Sequence, residues 1–293
     1  MKNNNQAEKI ISIYEEYRME PHPTQDRFEE QGKQVFAEKI NSFMEKKEPI
    51  QFAMLGYPFK STNTATKVLG TLPDKGEELS IQRLEDFTLK IQQVYSPGAI
   101  INVASDGFVF NDLLEVEEQT VFQYKEICLD MSSGSFNICD ITDFFPNITK
   151  GRIQLMNEFA LTETELERKI LYDINTNWLY RGMIRFMEEE LYMKTFASKS
   201  QKHKAAKQLT RQMMMRNEAW SRFVSSQFSD NIRLSMHQSI NNGAKFSFDL
   251  IEGAQHSPWH SVVVIDGDKI FTMHKKDAIE QGYILQQNYF TKP

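Results

Sequence analysis

Three short apolar runs, IQFAML at 50–55, AIINVA at 99–104 and FNICDI at 136–141, are separated by stretches whose apolar residues recur at helical spacing. Strand, helix, strand, helix, strand is the signature of a parallel sheet, because parallel neighbours need a long crossover to bring the chain back. The runs are almost continuously apolar, as strands covered on both faces must be. The first half of the chain is therefore read as a Rossmann-like α/β unit. Helices are expected over about 6–19 and 24–46, the second capped by Thr24 after Pro23 and carrying Phe28, Val35, Phe36, Ile40 and Phe43 at helical spacing. Two more are expected over about 79–95 and 118–131, with Ser96-Pro97-Gly98 as a turn between the first of them and the second strand.

The second half reads differently. Residues 162–228 are expected to be almost wholly helical, opened by the capping box Thr162-Glu163-Thr164-Glu165, with Leu166, Ile170, Ile174, Trp178 and Leu179 on one face. From about 231 strand patterns return in IRLSMH, KFSFDLI, HSVVVIDG and YILQQNYF, at spacings that suggest antiparallel or mixed pairing. The expected organisation is an N-terminal helical segment, 1–48, ahead of a single Rossmann-like catalytic domain, 49–293. Its sheet is largely parallel, with a helical insertion at about 162–228 and a mixed C-terminal strand block. A chain of 293 residues is long enough to bury a sizeable core.

Charge and cysteine usage narrow the class. A net charge of −6 argues against a surface built for nucleic acid. The polar opening MKNNNQAEK is followed by no apolar h-region, and no apolar stretch reaches membrane-spanning length. Cys128 and Cys139, the only cysteines, sit in apolar neighbourhoods and read as buried structural thiols of a reduced, cytoplasmic protein.

Open α/β sheets bind ligands beyond the carboxyl ends of their strands, and three polar clusters fall there. The first is the loop MLGYPFKSTNTATKVLG, 54–70. Lys60 and Lys67 are candidate charges for a phosphate or carboxylate, and Ser61, Thr62 and Asn63 add neutral hydrogen bonds. A solvated loop with ordinary lysines is the plainer alternative. The glycines of a nucleotide cradle are missing. The second cluster is Ser105-Asp106-Gly107, either a strand-exit turn or a carboxylate placed to meet substrate hydroxyls or an amine. The third is Arg233, Ser235 and His237 in IRLSMH, which would share one face of a strand and join a phosphate-binding arginine to a proton-transferring histidine. His256 and His260 flank Pro258, which precludes the helix that usually presents an i, i+4 metal pair. No metal is expected, and His260 reads as a general acid/base or substrate donor. The basic run from Lys194 to Arg216 reads as a solvated helix face or a lid attracting an anionic substrate, with Met213–Met215 turned to the core.

In order along the chain, from about residue 50 to 267, stand PFKSTNTATKVLG-LPD, YSPGAIINVASDGFVFND, LYRGM-RFMEEE, RNEAW, IRLSMH and PWHSVVVIDG. Together they resemble the pyoverdine/dityrosine biosynthesis family, whose bacterial members are isonitrile (isocyanide) synthases. The resemblance implies a Rossmann-like fold. It also implies conversion of the α-amine of an aromatic amino acid, tyrosine first and tryptophan second, to an isonitrile. The carbon would come from C2 of ribulose 5-phosphate, with neither metal nor nicotinamide required. The product would pass to a separate iron(II)/2-oxoglutarate oxygenase. At matching positions it implies Lys60, Arg181 and Arg233 as anion contacts, with Lys67, Asn63 and Ser235 beside them. His237 and His260 would carry protons, and Asp106 would orient the amine or sugar hydroxyls. Met236 and Gln238 depart from the family pattern around IRLS-I-H, which puts the local turn in question. An N-formyl-tyrosine-forming enzyme of the dityrosine branch, or a non-catalytic sugar-phosphate-binding regulator on the same fold, are the alternatives.

Overall fold

A computed structural model of the protein describes residues 2–293. Two N-terminal helices, α1 (Lys2–Glu16) and α2 (Lys33–Lys46), lead into β1 (Ile50–Leu55). Then follow α3 (Lys75–Val94), β2 (Ala99–Ala104), α4 (Gly107–Leu114), α5 (Glu118–Asp130) and β3 (Phe136–Cys139). A helical stretch comprises α6 (Ile141–Phe144), α7 (Ile148–Phe159), α8 (Glu163–Tyr172), α9 (Ile174–Glu190) and the long α10 (Lys199–Gln227). The chain ends with β4 (Ile232–Ser235), β5 (Phe246–Ser247), β6 (Val262–Asp266), β7 (Lys269–Met273), α11 (Lys275–Glu280), β8 (Ile284–Gln286) and β9 (Tyr289–Thr291).

The first five strands form one parallel sheet in the order β3-β2-β1-β4-β5. Phe52 pairs with Ile101 on one side and Ile232 on the other, which fixes the register at the centre. The chain builds outward from β1 in one direction and then, through α10, resumes on its other side with β4. That reversal is a topological switch point, where neighbouring connections leave on opposite faces and open a crevice.

Alternation decides the faces. Phe52 meets Tyr14 of α1 at 5.7 Å and Phe87 of α3 at 5.2 Å between ring centroids, and Phe246 of β5 joins the same aromatic layer 5.2 Å from Tyr14. The opposite face is covered by α10, whose fully buried Trp220 donates to the Ala104 carbonyl at 3.4 Å.

The expected C-terminal block is divided between two sheets. β4 and β5 belong to the parallel sheet, whereas β6–β9 form a second sheet in the order β7-β6-β9-β8, with antiparallel β6–β7 and β8–β9 pairs and a parallel β6–β9 pair. This second sheet has its own small core of Val262, Val264, Ala278 and Phe290.

Two local expectations are corrected. Thr24 does not cap the second helix. Asp26 accepts from the Phe28 amide at 3.0 Å and from Asn241 Nδ2 at 2.7 Å, and the first helical turn, Phe28–Gly32, is π-wound. The Thr162 capping box is present and Leu166 and Ile170 are buried, but Ile174, Trp178 and Leu179 are exposed at 70%, 67% and 54%. The basic run keeps Lys199, Lys204, Lys207 and Arg211 exposed, as a solvated helix face does, and three of its cations are paired. Lys194 pairs with Glu115, Arg211 with Glu167 and Arg216 with Asp112. Met213, Met214 and Cys128 are buried as expected, whereas Met215 and Cys139 are only half-buried. Among the described residues no helix is long and apolar enough to cross a membrane.

Candidate active site

The loop leaving β1 is bent sharply. Tyr57 adopts φ 53°, a left-handed conformation that disfavours bulky residues, and it is held there from both ends. Its hydroxyl donates to Ser80 at 2.8 Å, and its carbonyl accepts from Ser105 Oγ at 2.9 Å. The start of α4 lies hard against the same loop: a Cβ on Gly107 would stand 2.4 Å from the Pro58 carbonyl oxygen. Gly107→Ala is expected to push these segments apart and destabilise the fold by about 1–3 kcal/mol. Thermal denaturation checks this, and an unchanged Tm would contradict it.

Lys60, expected to meet a ligand anion, is fully enclosed by protein groups. Its ammonium stands 2.9 Å from Asp74 and 2.8 Å from Glu77, and it donates to the Pro258 carbonyl at 3.0 Å. Burial alone would push its pKa down, but the two carboxylates outweigh burial and raise it. With one cation between two acids, a net negative charge remains. Burial pushes Asp74 up to about 7 in spite of Lys60, so Asp74 is where an added proton goes. Lys60 thus ties the start of α3, whose cap is Asp74, to the turn carrying Trp259 and His260.

Lys67 is buried too, and it faces Glu189 at 2.8 Å and Glu190 at 3.0 Å, over the Phe186 ring. Glu190 is the hub. Its carboxylate accepts from Ser61 Oγ at 2.8 Å, the Thr62 amide at 3.0 Å and Thr62 Oγ1 at 3.1 Å, besides Lys67. Burial would raise its pKa, but the His260, Lys67 and Ser61 contributions bring it below the ordinary value. Asn63 is committed to the same scaffold, donating to Thr66 Oγ1 at 2.7 Å and the Glu189 carbonyl at 2.9 Å. The hydroxyls and lysines of the loop therefore cradle a carboxylate of the protein. Sequence reasoning missed Glu190. Its signal was the acidic run Glu188-Glu189-Glu190 at a helix C-terminus, where the dipole disfavours negative charge unless a cation waits there.

His260 stands beside this hub, edge-on to Phe186 at 4.9 Å, and its Nδ1 is buried without a hydrogen-bond partner. Burial pushes its pKa down to about 4; Glu190 opposes this, and Lys67, Lys60 and His237 lower it further. The ring is neutral at pH 7. Its turn is pinned by the Ser61 amide, which donates to the Trp259 carbonyl at 2.8 Å. His256, the other half of the possible metal pair, lies against His274, ring centroids 4.9 Å apart. Among the described residues no three His, Cys, Asp or Glu side chains group as a metal site.

Asp106 ends β2 at the N-cap position of α4, yet its side chain caps nothing and its Oδ1 is buried without a partner. Burial pushes its pKa up to about 7. An unpaired carboxyl poised at neutrality, at a strand's carboxyl end, is what a proton-transfer step requires.

The three residues of IRLSMH part company. Arg233 and Ser235 lie on β4, but the strand stops at Ser235 and the chain turns before His237. Ser235 Oγ donates to the His237 carbonyl at 3.0 Å and accepts from its amide at 3.3 Å, so Ser235 shapes the turn instead of facing a ligand. His237 is exposed in a cavity of about 170 Å³ walled also by Met236, Asp249, His256 and Pro258. Partial desolvation within the cavity and then Lys245 lower its pKa. Arg233 is buried and donates from Nη1 to Ser225 Oγ at 2.9 Å. Arg181 is not brought to the site. It is exposed, nine residues before Glu190 on α9, which puts it about 13 Å away along the axis and half a turn round. A larger hollow of about 330 Å³, bordered by Leu166, Tyr180 and Arg211, lies among α8–α10. The smaller cavity is the one at the switch point, beside two histidines.

The model of the pyoverdine/dityrosine biosynthesis protein family matches residues 40–285. An L-tyrosine isonitrile synthase from Pseudomonas aeruginosa is 31% identical over 87% of this chain and 81% of its own length. An L-tryptophan isonitrile synthase from Fischerella ambigua is 30% identical over 85% of this chain and 78% of its own. The crystal structure of the PvcA protein from Pseudomonas aeruginosa superposes with a TM-score of 0.91, covering 98% of this chain and 100% of that one, at 27% identity.

Proposed function

The chain belongs to the pyoverdine/dityrosine biosynthesis family and is an enzyme of the isonitrile synthase kind, and from that premise we propose that it converts the α-amine of an aromatic amino acid to an isonitrile with ribulose 5-phosphate as carbon donor. L-Tyrosine is the first candidate substrate and L-tryptophan the second. The amine condenses with the C2 ketone to an imine with loss of water, and cleavage of both the C1–C2 and C2–C3 bonds, releasing C1 as formaldehyde and, with loss of phosphate, C3–C5 as a three-carbon hydroxyketone, leaves the isocyano acid. The product goes to a separate iron(II)/2-oxoglutarate oxygenase, and the setting is the cytoplasm.

Every step of that sequence moves a proton, and the observation that carries the reading is Asp106, a half-buried carboxyl near neutrality at the end of β2, its Oδ1 buried without a partner. In its protonated form it assists loss of water from the carbinolamine; in its ionised form it takes a proton from the ammonium substrate. His260, neutral at pH 7, is the second acceptor, and His237 faces the cavity as the third proton carrier. Lys60 and Lys67 act on the reaction through the elements they fix. Neither a metal nor a nicotinamide enters this chemistry.

Incubation of the purified protein with ribulose 5-phosphate and single amino acids, without added metal, followed by mass spectrometry, tests the reading. An isocyano acid from L-tyrosine or L-tryptophan is the expected product. No product with any amino acid, from folded protein, would contradict it.

A further inference from the structure

Glu189 and Glu190 commit the C-terminal end of α9 to the candidate site, and the outward face of its first half is left bare. That face opens at a sharp corner. α8 ends at Tyr172, α9 begins at Ile174, and Asp173 alone separates them, its carboxylate capping α9. Leu171 and Tyr172 are 73% and 83% exposed, and Ile174, Trp178 and Leu179 follow on the first two turns of α9, all more than half exposed. Trp178 stands four residues after Ile174 and four before Gly182, so the three share one stripe, flanked by Arg181 and Arg185. A Cβ on Gly182 would meet nothing within 4 Å, so the stripe runs from two large side chains into an open notch. Unlike Arg211, Arg216 and Arg222, which pair with acids, Arg181 and Arg185 form no ion pair or side-chain hydrogen bond among the described residues.

Side chains of these sizes, exposed to this degree, leave roughly 700 Å² of largely apolar surface open, more than the about 300–600 Å² of the largest patch on an ordinary monomer. A standard interface takes about 800 Å² from each partner, so this corner supplies most of one side before any rim is counted. The face also complements itself. Laid antiparallel across a two-fold axis at Trp178, two copies of α9 set Ile174 of each against the Gly182 notch of the other and oppose their dipoles. The same operation brings Arg185 of each copy level with the corner of the other, where the Tyr172 ring and the Asp173 carboxylate can both receive a cation. Knob, notch, cation and acid on one surface are what an isologous contact requires, because each group must find its complement on an identical face.

We propose that this face of α8 and α9 joins two copies of the chain about a two-fold axis at Trp178. The pairing does not depend on the reaction proposed above, although α9 carries both this face and the Glu190 hub.

Sedimentation velocity of the full chain between about 1 and 100 μM tests it, on wild type, Trp178→Glu and Gly182→Leu, with circular dichroism of each as the check on folding. Wild type is expected to sediment as a pair of 34.2 kDa chains. Trp178→Glu places like charges at the axis and is expected to raise the dissociation constant about 100-fold or more. Gly182→Leu fills the notch and is expected to raise it about tenfold or more. The single chain should keep its helical signal in both variants, because Trp178 is largely exposed and a Cβ at 182 meets no neighbour within the chain. Wild type that stays single across this range would overturn the pairing. A pair that both variants leave intact would put the interface on another face and overturn this one. Single chains that bind phosphatidylglycerol vesicles, with binding lost in Trp178→Glu, would assign the face to a membrane and overturn the second copy.

Discussion

Changing Asp106 to Asn is expected to lower kcat for isonitrile formation by about 10²–10⁴-fold, the usual contribution of a positioned general acid or base. It is also expected to raise Tm above neutral pH. The two effects share one cause. Burial holds the carboxyl up at about 7 from an ordinary value of 3.8, so the folded protein binds this proton more tightly than the unfolded chain does. Native stability is therefore fullest below the unfolded value and declines as pH rises toward the folded one. Asparagine has nearly the same shape and no charge, so it removes that penalty. Wild type and variant should unfold at similar temperatures near pH 4, and the variant should be the more stable at pH 8. A wild-type rate that changes through pH 7, with no such inflection in any residual activity of the variant, would assign the inflection to Asp106. Activity within tenfold of wild type, or a variant less stable at pH 8, would contradict the role.

Changing Glu190 to Ala is expected to destabilise the protein by about 3–5 kcal/mol, the range for removing one partner of a buried ion pair. It would strand Lys67 in the interior and deprive Ser61 and Thr62 of their acceptor. The loss should be mainly the cost of unpaired buried groups and not the value of the pair. Lys67→Met combined with Glu190→Gln should therefore recover part of it, because glutamine still accepts from Ser61 and Thr62. The pH dependence has the opposite sign to that of Asp106. The Glu190 pKa is lowered in the fold, so its stabilisation is present above about 4.3 and is lost as pH falls through the folded value. Glu190→Gln should flatten the acid limb of the stability profile. Additive single-variant losses in urea unfolding would show that Glu190 and Lys67 are not coupled.

These two residues mark where the sequence is legible and where it stops. The bounds of β1 and β2 match the apolar runs because Pro49 and Gly56 punctuate the first and Gly98 and Ser105 the second, and the Thr162 capping box declares its helix through local chemistry. The parallel order follows from alternating strands and crossovers. The division of the last strands between two sheets does not, since a strand pattern names no partner. Periodicity gave Ile174, Trp178 and Leu179 a common face but not whether anything covers it. Aspartate-glycine after β2 reads as a turn, and the structure starts α4 there instead. For the site, residue type and strand end singled out Asp106, His237 and Arg233, while their environments stayed invisible. Lys60 and Lys67 looked like ligand charges because their partners are tertiary: Glu190 stands 123 positions from Lys67.

The central claim is that the isonitrile carbon comes from C2 of a pentulose phosphate and joins the substrate's own α-nitrogen. Turnover of L-tyrosine, and separately L-tryptophan, with [2-13C]ribulose 5-phosphate, read by 13C NMR and mass spectrometry of the isocyano acid, tests it most directly. The account predicts one labelled carbon per product, located in the isonitrile. An unlabelled isonitrile, or label appearing in an N-formyl group instead, would contradict it.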